Sequence, residues 1–288
     1  MYTFHEGYQR ILGMDIEGIP SRTAGLRNAK PMSEVIDLTG KTAIVVGGAM
    51  GLGACVVNRF CEAGASVVVA DIAQEFADKL LEFTDSKGYD VKFINTDVCK
   101  RDQITAAVDF TVAEYGKIDI LAYSAASWHH RLLDEVTEES WKEGLDINLT
   151  GSLFFIQEVV RVMEKQETGG KIINIASVAG IPAVPPVMYD YVAAKAAVIA
   201  LTKSLAKVLK PKGININCVI PGGMMTPGAI TTQATDAAKE LRSTEKMTTP
   251  ATDPDEVARV VFMLATQVSD FMYGSFVIAD GGANLSIE

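Results

Sequence analysis

The chain has 288 residues, of which 48% are hydrophobic and 22% charged, and this composition is typical of a globular protein long enough to bury a substantial core. Its formal net charge is −10, and it contains no basic run. Because nucleic acids and anionic membranes bind clustered positive charge, the sequence argues against both as partners.

The first 36 residues show no clear helical or strand period. We predict an N-terminal extension here, either a loosely ordered arm or an arm that covers a neighbouring subunit. Residues 1–30 contain no continuous apolar stretch, so neither a signal peptide nor a membrane span is expected. The four cysteines are scattered and have no histidine nearby, which indicates reduced thiols in the cytoplasm rather than a zinc site or disulfides.

A glycine-rich turn follows the first predicted strand. Thr42–Val46 is short, apolar and β-branched, as expected of a buried parallel strand. It runs into Gly47-Gly-Ala-Met-Gly-Leu-Gly53 and then into a helical stretch at 54–63. A strand, a glycine turn and a helix in this order present backbone N–H groups and the positive end of a helix to a pyrophosphate. The alternative is a plain tight turn.

An acidic residue ends the second predicted strand, Ser66–Asp71, and it follows Gly51 by 20 residues. A carboxylate at this place accepts hydrogen bonds from the adenosine ribose hydroxyls of NAD and repels the 2′-phosphate of NADP. No Arg or Lys lies in the glycine turn to receive that phosphate. The sequence therefore predicts NAD as the cofactor, with NADP disfavoured.

Strand-like and helical segments alternate along the rest of the chain. Repeated strand–helix units predict a parallel sheet with right-handed crossovers, which is an α/β fold. We therefore expect residues 37–288 to form one catalytic domain. The further predicted strands are 91–95, 118–123, 171–175, 214–220 and 276–280.

Tyr191 and Lys195 lie four residues apart on a predicted helix and so share one face. A phenol beside a fixed ammonium has its ionised form stabilised, so we expect the pKa of Tyr191 to fall. Such a phenol can exchange a proton with an alcohol or ketone. The spacing alone would also suit a surface pair.

Together these motifs resemble the short-chain dehydrogenase/reductase family, in its compact single-domain branch. The resemblance covers about residues 37–284 and includes the Gly47-x-x-x-Gly51-x-Gly53 spacing, Pro221-Gly222 and Asp280-Gly-Gly282. It implies a Rossmann-type doubly wound parallel sheet of about seven strands, in the order 3-2-1-4-5-6-7, with helices on both faces. The catalytic positions that it implies are Asn148, Ser177, Tyr191 and Lys195.

The resemblance gives each of these positions a role. Tyr191 exchanges the proton of the substrate, and Ser177 hydrogen-bonds the substrate oxygen. Lys195 binds the nicotinamide ribose and lowers the pKa of Tyr191, and Asn148 holds a water that connects Lys195 to solvent. The implied cofactor contacts are Gly47, Gly51, Leu52, Gly53, Asp71, Ile72, Asp97, Val98, Ser124, Tyr191, Lys195, Pro221 and Thr226.

Two segments depart from the family pattern. Val46 stands where the family usually has Thr, and residues 123–126, Tyr-Ser-Ala-Ala, stand where it has Asn-Asn-Ala-Gly. The second change affects the backbone beside the cofactor cleft, but it leaves the four catalytic positions intact. We therefore expect an active enzyme.

Three other regions are open to two interpretations. Residues 224–252, rich in Thr, Ala and Met, lie where the family places its substrate lid, or they form a solvated loop. The helices at 149–163 and 191–205 are too apolar to have only one buried face. We therefore expect a homo-oligomer, dimer or tetramer, whose interface includes the helices around Phe155 and Ile199. The alternative is that the N-terminal extension covers the second apolar face. The Trp-His-His at 128–130 is predicted to be a surface loop, with substrate contact as the alternative.

The sequence thus favours an NAD-dependent oxidoreductase that interconverts a secondary alcohol and a ketone, of the polyol, cyclic alcohol or hydroxysteroid type. One alternative is a reductase of 3-oxoacyl thioesters on an acyl carrier. Such enzymes usually take NADPH and dock an acidic carrier, so Asp71 and the net charge weigh against it. The other is a catalytically inactive nucleotide-sensing or scaffold protein, suggested only by residues 123–126.

Overall fold

The computed structural model describes residues 29–166, 168–181, 187–243 and 251–283. The chain divides into two compact units, Met1–Val35 and Ile36–Glu288. In the first unit the structure describes 29–35, which contain the short helix α1, Met32–Val35. The rest of the predicted extension, 1–28, lies outside the described residues.

The second unit is built on one parallel sheet. Within the described residues its strands are β1 Thr42–Val46, β2 Ser66–Asp71, β3 Val91–Asn95, β4 Ile120–Tyr123, β5 Gly170–Ile175, β6 Ile214–Pro221 and β7 Phe276–Ala279. Their order is β3-β2-β1-β4-β5-β6-β7, which confirms the Rossmann-type arrangement. β4 begins later than predicted because the N–H of Ile118 bonds to the side chain of Gln166 instead of a neighbouring strand.

The helices have clear end signals. Asp253 caps the last helix by accepting a hydrogen bond from the backbone of Asp255, with Pro254 in its first turn. Gly116 ends another helix in the left-handed conformation, at φ 74°. The helices after α1 are α2 Gly51–Glu62, α3 Gln74–Ser86, α4 Arg101–Tyr115, α5 Glu138–Leu145, α6 Gly151–Gln166, α7 Tyr189–Leu209, α8 Pro227–Thr231, α9 Asp236–Ser243 and α10 Pro254–Ala265.

The sheet is covered on both faces, which explains why its central strands are apolar without alternation. All five residues of β1 are buried. Val45 packs on one face with α2, α3 and α10, whereas Ile44 packs on the other with α4, α6 and α7. The strand order reverses between β1 and β4, and in such sheets a crevice opens outside the carboxyl ends of these strands.

The interface predicted at the helices around Phe155 and Ile199 stays a prediction, but the Phe155 side chain itself is not at the surface. Phe155 is fully buried in the chain's own core, where its ring packs edge-on against Tyr123 with centroids 6.1 Å apart. On the same helix Leu153 is 38% exposed, and Ile199 on α7 is only partly buried. The sequence could not separate these cases because α6 packs on both the sheet and α4. The homo-oligomer remains a prediction. Among the described residues, no helix combines the length and the apolar content of a membrane span.

Candidate active site

A cavity of about 320 Å³ lies at the carboxyl ends of the strands. Its wall brings together side chains and backbone that are far apart in the sequence. All the predicted site residues line it except Gly53 and Asn148. The predicted residues that do so are Gly47, Gly51, Leu52, Asp71, Ile72, Asp97, Val98, Ser124, Ser177, Tyr191, Lys195, Pro221 and Thr226.

The turn between β1 and α2 is tight because of its glycines. Gly47 has φ 71°, and a Cβ atom on it would lie 2.5 Å from the backbone of Ala125. A Cβ on Gly53 would lie 2.0 Å from the carbonyl oxygen of Gly47, so Gly53 packs beneath the turn and does not reach the cavity. Met50, at the N-cap of α2, makes no side-chain hydrogen bond to the helix. Its first-turn N–H groups therefore have no side-chain cap, which suits the binding of a phosphate.

The carboxylate of Asp71 is held at one side of this turn. Its Oδ2 accepts a hydrogen bond from the backbone N–H of Ala49 at 2.9 Å, and its Oδ1 accepts one from Ala73 at 3.0 Å. Asp97, after β3, accepts a bond from the backbone N–H of Cys99 at 2.9 Å. Two carboxylates thus lie at the β2–β3 end of the cavity, beside the largely exposed Ile72.

Helix α7 carries Tyr191 and Lys195 into the cavity. Lys195 is almost completely buried, and its Nζ donates a hydrogen bond to the carbonyl of Ile175 at 2.9 Å. The same Nζ lies 5.4 Å from the centroid of the Tyr191 ring. Burial lowers the pKa of Lys195 to about 8, because the ammonium loses hydration.

The pKa of Tyr191 is shifted in the direction opposite to that predicted. Burial raises it because a phenolate is costly in this apolar setting, and the hydrogen bond with Ser177 opposes that shift. Ser177 follows β5, and its Oγ also accepts a hydrogen bond from the backbone of Ala179 at 3.1 Å. The spacing in the sequence showed that Lys195 is a neighbour of Tyr191. It did not show how deeply the phenol is buried, and burial decides the direction of the pKa shift.

Asn148 lies outside the cavity, buried in a π-helical turn at Asp146–Thr150. Its Nδ2 donates to the carbonyls of Ser127 at 2.6 Å and Gly144 at 2.9 Å, and its Oδ1 accepts from the N–H of Ser127 at 3.3 Å. One amide hydrogen therefore fixes the segment after β4, and the other bonds to α5. Any water that Asn148 holds would have to bind its remaining acceptor groups.

The departure at residues 123–126 leaves the backbone path intact. Tyr123 continues the parallel ladder opposite Val46, and the N–H of Ser124 donates to Val46 at 2.8 Å. The buried Tyr123 hydroxyl donates to the carbonyl of Ile147 at 2.8 Å, inside the π-helical turn. Ile147 lines the cavity, so Tyr123 supports the wall from behind. The sequence comparison showed the departure but not this long-range contact.

Trp128 lines the cavity beside Tyr191, whereas a surface loop was predicted here. The two ring centroids are 5.6 Å apart with an interplanar angle of 55°. One signal in the sequence could have placed Trp128 at the cavity. It is a large aromatic residue shortly after a strand that ends at the cofactor cleft. From the predicted lid, Met224, Thr226 and Gly228 also line the cavity, and residues 244–250 lie outside the described residues.

Comparison with known proteins agrees with this architecture. The family model described as enoyl-(acyl carrier protein) reductase matches residues 47–284. A 3-oxoacyl-(acyl-carrier-protein) reductase from Thermotoga maritima is 35% identical over 245 residues, covering 85% of this chain and 98% of the relative. The solved structure of a short-chain type dehydrogenase/reductase from Mycobacterium marinum matches with a TM-score of 0.81 and 29% identity, covering 89% of this chain and 100% of that one. The chain belongs to the short-chain dehydrogenase/reductase family.

Members of the short-chain dehydrogenase/reductase family differ in their substrates. A probable galactose dehydrogenase from Rhizobium meliloti is 34% identical over 257 residues, covering 88% of this chain and 98% of the relative. The name of this relative refers to a sugar, whereas that of the Thermotoga protein refers to an acyl carrier. The protein is thus an oxidoreductase of the short-chain dehydrogenase/reductase family, whose cofactors are NAD and NADP.

Proposed function

We propose that this protein is an NAD-dependent oxidoreductase that interconverts a secondary alcohol and a ketone, with Tyr191 as the acid/base. One observation carries the proposal. The side chains of Ser177 and Tyr191 interact in the cavity that also contains the glycine turn and Asp71. A proton-transfer group and a nucleotide cradle therefore share one space.

The residues present fit a dinucleotide. The uncapped N-terminus of α2 suits the pyrophosphate, and the fixed carboxylate of Asp71 suits the two hydroxyls of an adenosine ribose. Lys195, at the far end of the same cavity, would hold the nicotinamide ribose. NAD, when bound, supplies the hydride acceptor for alcohol oxidation, and its reduced form supplies the hydride for the reverse reaction.

The side chains would divide the remaining chemistry. Ser177 holds the substrate oxygen by a hydrogen bond, and Tyr191 removes the hydroxyl proton as the alcohol is oxidised. In the reverse direction Tyr191 returns that proton to the developing alkoxide. The positive charge of Lys195 offsets the cost of a buried phenolate, so the relay depends on both groups.

Cofactor choice follows from the charge at Asp71. A 2′-phosphate beside this carboxylate would experience like-charge repulsion of several kcal/mol, on the order expected in a partly desolvated site. We therefore expect a clear preference for NAD. The double variant Asp71→Ser with Ile72→Arg should shift kcat/KM toward NADP, and equal kcat/KM for both cofactors in the wild type would remove the basis of the assignment.

A second candidate is reduction of a 3-oxoacyl thioester, favoured by the similarity to the Thermotoga enzyme. The net charge of −10 weighs against docking an acidic carrier, and Asp71 weighs against NADPH. An inactive sensor or scaffold is a third, weaker candidate. The cluster of Ser177, Tyr191 and Lys195 in one cavity weighs against it.

A two-cofactor substrate panel separates these candidates. Polyols, cyclic alcohols and hydroxysteroids are tested with NAD, and acetoacetyl coenzyme A is tested with NADH and NADPH. The proposal predicts turnover of at least one alcohol class with NAD. Turnover of the thioester with NADPH alone would support the second candidate, and cofactor binding without any turnover would support the third.

A further inference from the structure

We propose that Trp128 makes this site selective for an apolar ring, so that the preferred substrate is an alicyclic secondary alcohol or its ketone rather than a polyol. This inference rests on the proposed function, since it concerns the part of the substrate that lies beyond the reacting oxygen. It goes further because it names the chemical class and the side chain that selects it.

The position of the Trp128 indole supports this selectivity. Trp128 lies against Tyr191, with ring centroids 5.6 Å apart. At its other end its Cη2 atom reaches α8, because a Cβ built on Gly228 would lie 3.5 Å from it. The indole thus contacts both the ring of Tyr191 and helix α8, and it lines the cavity. A substrate whose oxygen reaches Tyr191 has to lie alongside this ring.

The end of the cavity that contains Trp128 and Tyr191 is apolar. Trp128 and Tyr191 pack in one cluster whose other members are Leu132, Val187, Met188, Val192 and Ala238. Met224 and Gly228 also line the cavity. The charged side chains among the cavity's lining residues are Asp71, Asp97 and Lys195. Asp71 ends β2 and Asp97 follows β3, whereas Lys195 donates to Ile175.

This distribution disfavours a polyhydroxylated substrate. The hydroxyls of Ser177 and Tyr191 are needed by the reacting oxygen, and the hydroxyl of Thr226 already accepts a bond from the backbone of Ala229. Further substrate hydroxyls would therefore face the indole and a thioether, where they lose hydrogen bonds to water without replacement. A saturated or aromatic ring loses nothing there and gains contact with the indole face.

The backbone on both sides of Trp128 is fixed by hydrogen bonds. Ser127, before it, is bonded to the Asn148 side chain through both its N–H and its carbonyl. After it, the N–H of His130 donates to the carbonyl of Gln233 at 3.0 Å, and the carbonyl of His130 accepts from Thr235 at 3.3 Å. A wall fixed in this way discriminates by shape, because little ordering is needed when the substrate binds.

The kinetic test uses alcohols that differ in one property. Cyclohexanol and myo-inositol share a six-membered ring but differ in hydroxyl number, and 2-butanol lacks the ring. We expect the wild type to prefer cyclohexanol over myo-inositol in kcat/KM. Trp128→Ala should raise the KM for cyclohexanol roughly tenfold, as expected for a lost aromatic contact, while that for 2-butanol changes much less.

Controls separate selection from a structural role. Trp141→Ala changes the chain's other tryptophan, which lies on α5 and is 39% exposed, and it should leave all three alcohols unaffected. Trp128→Phe keeps an aromatic face and should restore most of the preference if Trp128→Ala folds poorly. Equal losses for cyclohexanol and 2-butanol, or a wild-type preference for myo-inositol, would overturn the inference.

A binding measurement distinguishes this inference from the proposed function. The chain has two tryptophans, so Trp141→Phe leaves Trp128 as the only indole reporter. Cyclohexanone should change its fluorescence saturably in the presence of NAD, and myo-inositol should not. Such a response, combined with no turnover of cyclohexanol with NAD or of cyclohexanone with NADH, would support the inference and contradict the proposed function. Turnover of polyols without any response to cyclohexanone would do the opposite.

Discussion

At Tyr191, burial and hydrogen bonding act on the phenol in opposite directions. Burial raises its pKa, the bond with Ser177 lowers it, and the Lys195 ammonium lies 5.4 Å from the ring centroid. The phenol is therefore a proton donor first, and it becomes a base only with help from nearby positive charge. We therefore expect both the hydroxyl and the ammonium to be necessary for turnover.

Removal of the Tyr191 hydroxyl tests the acid/base role directly. Tyr191→Phe should lower kcat by about 10²–10⁴-fold, the usual contribution of a positioned proton donor, with little change in NAD affinity. Tyr189→Phe is the matched control, since Tyr189 lies on the same helix but does not line the cavity, and it should keep near-normal turnover. If Tyr189→Phe were the inactive variant instead, the assignment of the acid/base would be wrong.

The depressed pKa of Lys195 predicts a pH limit on ketone reduction. Lys195 carries its charge below pH about 8 and loses it above that value. Reduction needs a protonated Tyr191, whose pKa is raised, so the loss of the ammonium should be the first limiting ionisation. The kcat/KM for ketone reduction should therefore decline above pH about 8. The variant Lys195→Met should have a much lower kcat/KM that no longer declines above this pH. An unchanged kcat/KM well above that pH would contradict the prediction.

At the scale of elements, the π-helical turn at Asp146–Thr150 joins β4 to the cavity wall. The carbonyl of Ile147 lies in this turn, and the Tyr123 hydroxyl donates a hydrogen bond to it at 2.8 Å. A Cβ on Gly151 would lie 2.6 Å from that hydroxyl, so Gly151 leaves the space for it. The hydroxyl oxygen of Tyr123 thus packs against Gly151 of α6 and connects β4 to the π-helical turn.

Tyr123→Phe should destabilise the protein by about 1–3 kcal/mol, because it leaves a buried carbonyl without its donor. Urea unfolding measures this change. Tyr115→Phe is the control, since its hydroxyl bonds to Asp90 at an exposed position, and it should lower the stability far less. Gly151→Ala should cost less in the Tyr123→Phe background than in the wild type, since the close contact is then absent. Additive effects would contradict the proposed dependence.

For the whole molecule, the strand positions were predictable because strands buried on both faces have continuous apolar sequences, whereas the order of the strands came from the resemblance to the family. β1, β2 and β3 begin and end at the predicted residues. The positions of Ser177, Tyr191 and Lys195 at one cavity were also predictable, since they belong to motifs of fixed spacing. Contacts between distant residues were not. The Tyr123 hydroxyl meets a carbonyl 24 residues away, and no local pattern encodes that pairing.

The same distinction explains the differences between expectation and structure. The apolar surface of α6 suggested a partner subunit, yet Phe155 is covered by the chain itself. Trp128 looked like part of a surface loop, yet it packs on Tyr191, 63 residues further along the chain. Both differences arise because periodicity shows that a residue is apolar but not which element covers it.

The attachment of Ser127 to Asn148 and of His130 to Gln233 has an evolutionary consequence. Only two side chains, Trp128 and His129, lie between the fixed points, so a mutation at Trp128 can change the ring that faces the substrate while both attachments stay in place. The hydroxyls that carry out the reaction come from other elements and need not move. A new substrate preference can therefore arise by a single codon change, without a passage through an inactive ancestor.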